Sequence, residues 1–109
     1  MRDELLKSIL NRGRLICGTE TLSVSSTVVG LTNIPAKAVG AVCTVESSVT
    51  GASEIIVRYL EDGTTPTDTI GMPCNHFTVF TITSAENLKK FKAIQAQAGT
   101  HQITVNYLK

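Results

Sequence analysis

The stretch HQITVNYL, residues 101–108, decides the fold, because its apolar and polar side chains alternate without a break. Ile103, Val105 and Tyr107 fall on one face of an extended chain, and Thr104 and Asn106 fall on the other. A period of two residues is typical of a β-strand with one buried and one polar face. Because a strand must pair its backbone groups with a neighbour, this stretch predicts a sheet.

The segment before this strand allows two interpretations. Leu88, Phe91 and Ile94 have the spacing of a helical stripe that would stop at Gly99. Alternatively, residues 91–97 form a strand and turn into the final strand as a hairpin. We favour the hairpin, because the final strand needs a partner and this segment is nearest in sequence.

Similar alternation recurs upstream. Strands are predicted over residues 21–29, 38–47, 54–60, 69–72 and 77–83. In the first of these strands one face is solvated and the other carries Leu22, Val24 and Val28, and in the second one face carries Val39, Ala41, Cys43 and Val45. In the third, Ile55, Val57 and Tyr59 lie opposite Ile56, Arg58 and Leu60, so both faces are expected to be partly covered. Between two of these strands, Glu61–Thr67 is a loop by composition, in which Gly63 tolerates positive φ and Pro66 interrupts any ladder. One helical turn is expected over residues 84–89, with Asn87 as its cap.

The composition agrees with a β fold. The chain has 109 residues, of which 42% are hydrophobic and 17% charged, so it is long enough for one domain and too apolar for intrinsic disorder. Abundant threonine, valine and isoleucine favour strands. We therefore predict a mainly β protein, an antiparallel β-sandwich of immunoglobulin-like or jelly-roll-like type with a short N-terminal α-helix. Residues 19–109 are assigned to the sandwich, and residues 1–18 to the helix and a linker.

Residues 1–12 have the pattern of an amphipathic helix that stops at Gly13. Its apolar stripe consists of Leu5, Leu6, Ile9 and Leu10. An isolated helix of this length is marginal in water, so the stripe must pack on something else. We predict that it forms a subunit interface. The alternative, in which it covers the chain's own sheet, stays open.

Charge and hydropathy exclude several classes of function. The net charge is only +1, and Lys89, Lys90 and Lys92 form the densest basic stretch, so nucleic-acid binding is not expected. No run of about 18 apolar residues is present, so no membrane span is expected. Asp3 and Glu4 stand where a signal peptide has positive charge, which predicts a protein that stays in the compartment where it is made.

Cys74 and His76 are the strongest candidates for a reactive or metal-binding pair. A structural zinc site needs four ligands, and only the scattered Cys17, Cys43 and His101 are left to complete one, so we predict neither metal nor cofactor. A nucleophile–base pair needs an orienting group and oxyanion donors, which the sequence does not suggest. The chain is therefore predicted not to be an enzyme.

Asp62 and Asp68 flank the Gly63–Thr67 loop, and their carboxylates could bind calcium. The loop lacks the dense acidic pattern of known calcium loops. We therefore interpret Asp62 as a turn-forming residue whose side chain bonds to the backbone.

The run VRYLEDGTTPT, residues 57–67, followed by Gly71, resembles a motif of small structural proteins of tailed bacteriophages. The similarity continues on both sides of the motif. It includes Leu22–Leu31 before it, and Asn87–Ile94 and Val105–Tyr107 after it. The resemblance covers about residues 21–108, and residues 57–67 are its strongest part.

The resemblance implies a virion protein, with a role in capsid decoration, at the base of a head fibre, or in a tail or connector. It implies a homo-oligomer that packs against capsid or tail proteins, made in the host cytoplasm and located in the virion. It brings no catalytic residue. The alternative is a β-sandwich that binds a carbohydrate or a cell-surface receptor, but the chain has only five aromatic residues and no tryptophan for stacking on sugars.

Overall fold

The computed structural model describes residues 15–109, so the predicted N-terminal helix and its stripe lie outside the described residues. The described chain is mainly β, with two antiparallel sheets and one short helix, which confirms the predicted fold class at that level. The elements are β1 (Ile16–Val24), β2 (Gly40–Ser47), β3 (Val57–Leu60), β4 (Met72–Cys74), β5 (Val79–Ile82), α1 (Ala85–Lys90), β6 (Lys92–Gln95) and β7 (His101–Leu108).

The strand predicted from HQITVNYL lies at the centre of the larger sheet. The four-stranded sheet has the order β1-β7-β2-β5, and the three-stranded sheet has the order β4-β3-β6. In the register, Val105 of β7 is opposite Glu20 of β1 and Cys43 of β2. Buried and more exposed residues alternate along most of β7, and Ile103, Val105 and Tyr107 are fully buried in the core.

The predicted hairpin is wrong, although its first arm is a strand as predicted. β6 pairs with β3, with Ile94 opposite Arg58, and belongs to the three-stranded sheet. Both edges of β7 are taken by β1 and β2, which offer eight paired positions each. Residues 96–100 therefore connect the two sheets and do not form a tight turn. Nearness in sequence did not predict the pairing of β7, because β1 and β2 are longer strands than β6 and pair along the whole of β7.

Several strand ends differ from the predictions. β1 begins at Ile16, before the predicted domain start at residue 19, and it ends at Val24, so Val28 lies outside the strand. Beyond it, Val29 forms a single antiparallel bridge with Ala93 of β6, with N–O distances of 3.0 and 2.9 Å. Through this bridge, Val29 extends the three-stranded sheet by one residue at the outer edge of β6.

The apolar faces predicted for the strands are buried within the strands and exposed beyond their ends. Ala41, Cys43 and Val45 belong to the core, whereas Val39 precedes β2 and is exposed. Ile55 is also exposed, and its neighbour Ile56 is fully buried. Ile56 precedes β3, and its N donates to Cys74 O at 2.8 Å. Ile56 and Val57 are both buried, so the two-residue period does not extend to residue 56.

The predicted helical turn is present, with a different cap. Ser84 has extended backbone angles, and its Oγ accepts a hydrogen bond from Asn87 N at 3.0 Å. Ser84 is therefore the N-cap, and the assignment of the cap to Asn87 was wrong. Leu88 anchors the helix in the core.

One hydrophobic core draws side chains from both sheets and from α1. At its centre the ring of Tyr59 from β3 stacks on Phe80 from β5 with centroids 4.0 Å apart. Phe91, between α1 and β6, stacks near both rings at centroid distances of 5.6 and 5.9 Å. The stack joins the two sheets, because its members come from different ones.

Candidate functional site

Cys74 and His76, which the sequence offered as candidates but which we did not predict to be reactive, make different contacts in the structure. Cys74 is buried at the end of β4, and burial raises the pKa of its thiol to about 12, with Arg58 opposing the rise. His76 Nδ1 accepts a hydrogen bond from the backbone N of Ser47 at 3.0 Å. A thiol with a raised pKa is a poor nucleophile at neutral pH, because the thiolate is the reactive form.

The remaining candidate metal ligands are also placed. Cys43 is fully buried in β2, Cys17 is partly buried in β1, and His101 is buried at the start of β7. Within residues 15–109, no group of three or more histidine, cysteine or acidic side chains is arranged to hold a metal ion.

A hydrogen-bonded cluster around Ser47 was missed by sequence reasoning. Its hydroxyl lies 2.7 Å from His101 Nδ1, while its backbone N bonds to His76. His101 Nε2 lies 2.8 Å from Gln97 O, a carbonyl that can only accept, so Nε2 donates this hydrogen bond. In the neutral ring, Nδ1 then accepts from Ser47 Oγ. Ser47 Oγ also accepts from Val49 N at 2.9 Å.

This arrangement places a hydroxyl, an imidazole and a carbonyl in series, as a nucleophile, a base and an orienting group would be. The ring of His101, however, is 2% exposed, and Ser47 Oγ is engaged by the Val49 backbone. Ser48 adds a second connection between the same segments, since its N donates a hydrogen bond to Thr100 O at 2.9 Å. The cluster therefore fastens the end of β2 to the segment that enters β7.

A second missed cluster surrounds Glu20, the buried carboxylate of β1. Its oxygens accept hydrogen bonds from the Tyr107 hydroxyl, from Asn33 N at 3.1 Å and from Thr32 Oγ1 at 3.0 Å. Burial alone would raise the pKa of Glu20, but these hydrogen bonds outweigh it and hold the pKa below its ordinary value. The carboxylate thus joins β1, β7 and the loop at residues 32–33.

Residues 61–71 form the connection between β3 and β4, here called the motif loop. Arg58 on β3 donates from Nε to Asp68 O at 3.1 Å and from a terminal nitrogen to Gly71 O at 3.0 Å. Pro66 in the middle of the loop is fully buried. Val57 and Tyr59 point into the core, so Arg58 points to the outer face and holds the loop over it.

The acidic residues of the motif loop have structural partners. Asp62 Oδ1 accepts from Thr64 N at 2.9 Å, which confirms its interpretation as a turn-forming residue. This hydrogen bond is the main cause that holds the pKa of Asp62 below its ordinary value. Asp68 contributes to the loop through its backbone carbonyl, which accepts a hydrogen bond from Arg58 Nε.

The lysines of the densest basic stretch have different surroundings. Lys92 Nζ donates to Gly63 O of the motif loop at 3.1 Å. Lys90 lies 3.8 Å from Glu86 one turn earlier on α1. Lys89 and Lys90 occupy the last turn of that helix, where positive charge is favourable. Lys92 therefore stabilises the motif loop, and Lys89 and Lys90 stabilise α1.

Replacing Gly63 is expected to destabilise the motif loop. Gly63 has φ of +90°, a backbone conformation that side chains with a Cβ rarely adopt. Gly63→Val should lower the free energy of unfolding by about 1–3 kcal/mol in urea titrations. Gly63→Asn is the matched control and should lose less, because asparagine tolerates positive φ better. Equal stability of the valine variant and the parent would contradict a constrained turn.

Two of the exposed large apolar side chains lie at the end of the motif loop. Ile70 and Met72, on either side of Gly71, are 58% and 54% exposed. A cleft of about 400 Å³ separates the motif loop from β6, and it is lined by Pro66, Ile94 and six smaller or polar residues. Of the five aromatic residues, Phe77 alone is exposed. The described surface therefore offers apolar contact sites, with no aromatic residue lining this cleft.

Within the described residues, no helix is both long and apolar enough to span a bilayer. Comparisons with known proteins add no relative: no protein-family model, no curated protein and no solved structure matches this chain.

Proposed function

We propose that this chain is a structural protein of a tailed-phage virion, which self-associates and packs against capsid or tail proteins. It has no catalytic role in this proposal, and it reaches the virion after synthesis in the host cytoplasm. The observation that carries the proposal is the strand order, which supports an antiparallel β-sandwich of the jelly-roll type. Jelly rolls recur in viral capsid proteins.

The strand order supports a jelly roll in the following way. Eight strands numbered along a jelly roll form two sheets, with the orders 1-8-3-6 and 2-7-4-5. If the single bridge at Val29 is counted as a reduced second strand, the four-stranded sheet has the order 1-8-3-6. The three-stranded sheet together with Val29 then has the order 2-7-4-5. An immunoglobulin-like sandwich pairs its last strand differently, next to the sixth.

The motif loop supports the assembly role. Its segment of the sequence resembles phage structural proteins, and hydrogen bonds of Arg58 and Asp62 together with the buried Pro66 hold it in place. Ile70 and Met72 stand exposed beside it, so they offer apolar area that association could bury. Repeated copies of such a contact give strength to a shell or tube.

A carbohydrate-binding role has weaker support. Lectins also use jelly rolls, and the cleft beside the motif loop is large enough for a small ligand. Its lining, however, has no aromatic ring for stacking on a sugar, because Tyr59, Phe80, Phe91 and Tyr107 are buried. The only exposed ring, Phe77, is not part of the cleft lining.

Self-association is tested by light scattering on the purified protein across a range of concentrations. We expect an oligomer in the parent, and dissociation in the double variant Ile70→Asp, Met72→Asp, because two charges would have to be buried. Thr50→Asp with Ser53→Asp adds the same charge at exposed positions and should leave the oligomer intact. A parent that is monomeric at every concentration would contradict self-association.

The virion assignment needs a separate experiment. Peptide mass spectrometry of purified phage particles from the strain that carries the gene should detect the protein in stoichiometric amounts. Recovery only from the soluble cell fraction, with none in particles, would exclude a virion component.

A further inference from the structure

The outer edge of β1 is the longest open strand edge among the described residues. β1 has nine residues and borders the four-stranded sheet, with β7 on one side only. The other border strands are short or covered. β5 has four residues, β4 has three including Pro73, and the free edge of β6 bonds to Val29 and Ser25. Such devices prevent unwanted strand pairing, and β1 has none of them from Gly18 to Val24 within the described chain.

The backbone groups at this edge belong to Thr19, Thr21 and Ser23. Odd-numbered positions at the end of the chain direct their backbone groups to β1, since Lys109 N donates to Leu15 O at 3.0 Å. In the regular part of the register these positions pair with even-numbered residues of β1. Because hydrogen-bonding positions alternate along a strand, the N–H and C=O groups of the three odd-numbered residues point away from β7. No described residue bonds to them.

The side chains at this edge favour the addition of a further strand. Thr19, Thr21 and Ser23 are exposed, and none of them carries a charge. Threonine is a good strand former, and threonine and serine side chains stabilise each other across paired strands. An added strand binds mainly through main-chain hydrogen bonds. The occupant of this edge should therefore be an extended segment with uncharged side chains at the matching positions.

We propose that β1 pairs antiparallel with β1 of a second copy of this chain, about a two-fold axis at Thr21. The two four-stranded sheets then form one continuous sheet. Thr21 lies opposite Thr21 of the second copy, and Thr19 lies opposite its Ser23. Each such pair exchanges two hydrogen bonds, so every free group of the three residues gains a partner. The inference rests on the self-association proposed above and assigns a surface to it.

Charge and overlap select this register. An axis at Glu20 would align the strands over their full length, but the two copies of Glu20 would lie directly opposite each other, and like charges there repel. An axis at Thr19 would bring the irregular step at the start of β1 into the paired region. The axis at Thr21 sets Glu20 opposite Leu22 and keeps Gly18–Val24 in regular pairing. The edge of β1 is thus complementary to itself, which favours a second copy as its partner.

Disulfide cross-linking of the full-length protein tests this register. In the proposed pair the two copies of residue 21 have Cα atoms about 5.5 Å apart, a separation that a disulfide can bridge. Thr21→Cys should therefore give mostly covalent dimer under mild oxidation. Ser23→Cys is also exposed, but its two copies would lie about 13 Å apart along the strands. It should give no more dimer than the parent, which controls for Cys17 on the same strand.

Thr21→Lys tests the same contact without oxidation. Two lysines would lie side by side across the axis, so the dissociation constant of the dimer should rise about tenfold or more in light scattering over a concentration series. Thr50→Lys adds the same charge at an exposed position and should leave the constant unchanged.

The strand contact is separate from the surface beside the motif loop, because Met72 belongs to the other sheet. The variant Ile70→Asp, Met72→Asp should therefore dissociate only as far as this dimer, and Thr21→Cys should still cross-link within it.

Two results would overturn the proposal. They are a yield of dimer from Thr21→Cys no greater than that from Ser23→Cys, and a dissociation constant that Thr21→Lys leaves unchanged. If the parent still forms oligomers in either case, self-association stands and uses another surface. Efficient cross-linking of Thr21→Cys together with absence of the protein from phage particles would support the strand contact and reject the virion role.

Discussion

Glu20→Gln is expected to lower the free energy of unfolding by about 2–4 kcal/mol in urea titrations. The carboxylate accepts hydrogen bonds from three residues, Tyr107, Asn33 and Thr32, and all of these contacts lie in a buried or partly buried site. Glutamine keeps the shape but offers one acceptor oxygen and turns an NH₂ group toward the remaining donors. At least one donor would then be left without a partner, and that loss is the physical cause of the effect.

The same variant tests the pH dependence. The folded-state pKa of Glu20 lies below its unfolded value of about 4.5, so its contribution to stability is complete above that pH. It is lost as the pH falls through the folded-state pKa. The parent's stability should therefore fall on acidification below about pH 4.5, and the fall should be smaller in Glu20→Gln. Asp68→Asn, at an exposed position of the motif loop, is the control and should behave like the parent.

Tyr107→Phe separates the hydroxyl contribution from the rest of the cluster. It removes one donor and leaves the contacts of Glu20 with Asn33 and Thr32, so a smaller loss of about 1–2 kcal/mol is expected. If Glu20→Gln were as stable as the parent at neutral pH, the cluster would not hold the loop at residues 32–33 against β1.

Phe91→Ala is expected to cost about 3–5 kcal/mol of stability, the largest effect of any single change considered. Phe91 is 1% exposed, and its ring stacks near Tyr59 of the three-stranded sheet and Phe80 of the four-stranded sheet. Truncation would leave a cavity where the two sheets meet, with both rings deprived of a neighbour.

Phe91→Leu is the control for this prediction, because it keeps much of the apolar volume and should lose markedly less. Chemical denaturation with a fluorescence readout measures both variants. A loss below about 1 kcal/mol in Phe91→Ala would contradict a core that depends on this stack.

The sequence located most of the strands, but it placed β4 (Met72–Cys74) at residues 69–72 and gave β7 the wrong partner. The two-residue period of β7 depends only on which side chains are buried, so it could be recognised from Ile103, Val105 and Tyr107 alone. Pairing depends on which backbone edges meet in three dimensions, and nothing in residues 91–97 indicated that β6 would join β3. Long-range pairing is therefore where sequence reasoning failed.

The buried polar clusters were missed although a signal existed. Glu20 shares the inward face of β1 with Leu22 and Val24, and His101 shares that of β7 with Ile103. A charged or titratable side chain at an inward position of an alternating strand must have buried partners. For Glu20 the partners Thr32 and Asn33 come from a loop, whose position no periodicity predicts.

The central position of β7 has a consequence for synthesis of the chain. Ribosomes make β7 after all the other strands of both sheets, yet β7 lies between β1 and β2. Until β7 emerges from the ribosome, no strand joins β1 to β2, and the four-stranded sheet cannot form. The nascent chain must therefore carry unpaired strand edges through most of translation, a period in which they are open to chaperones or to aggregation.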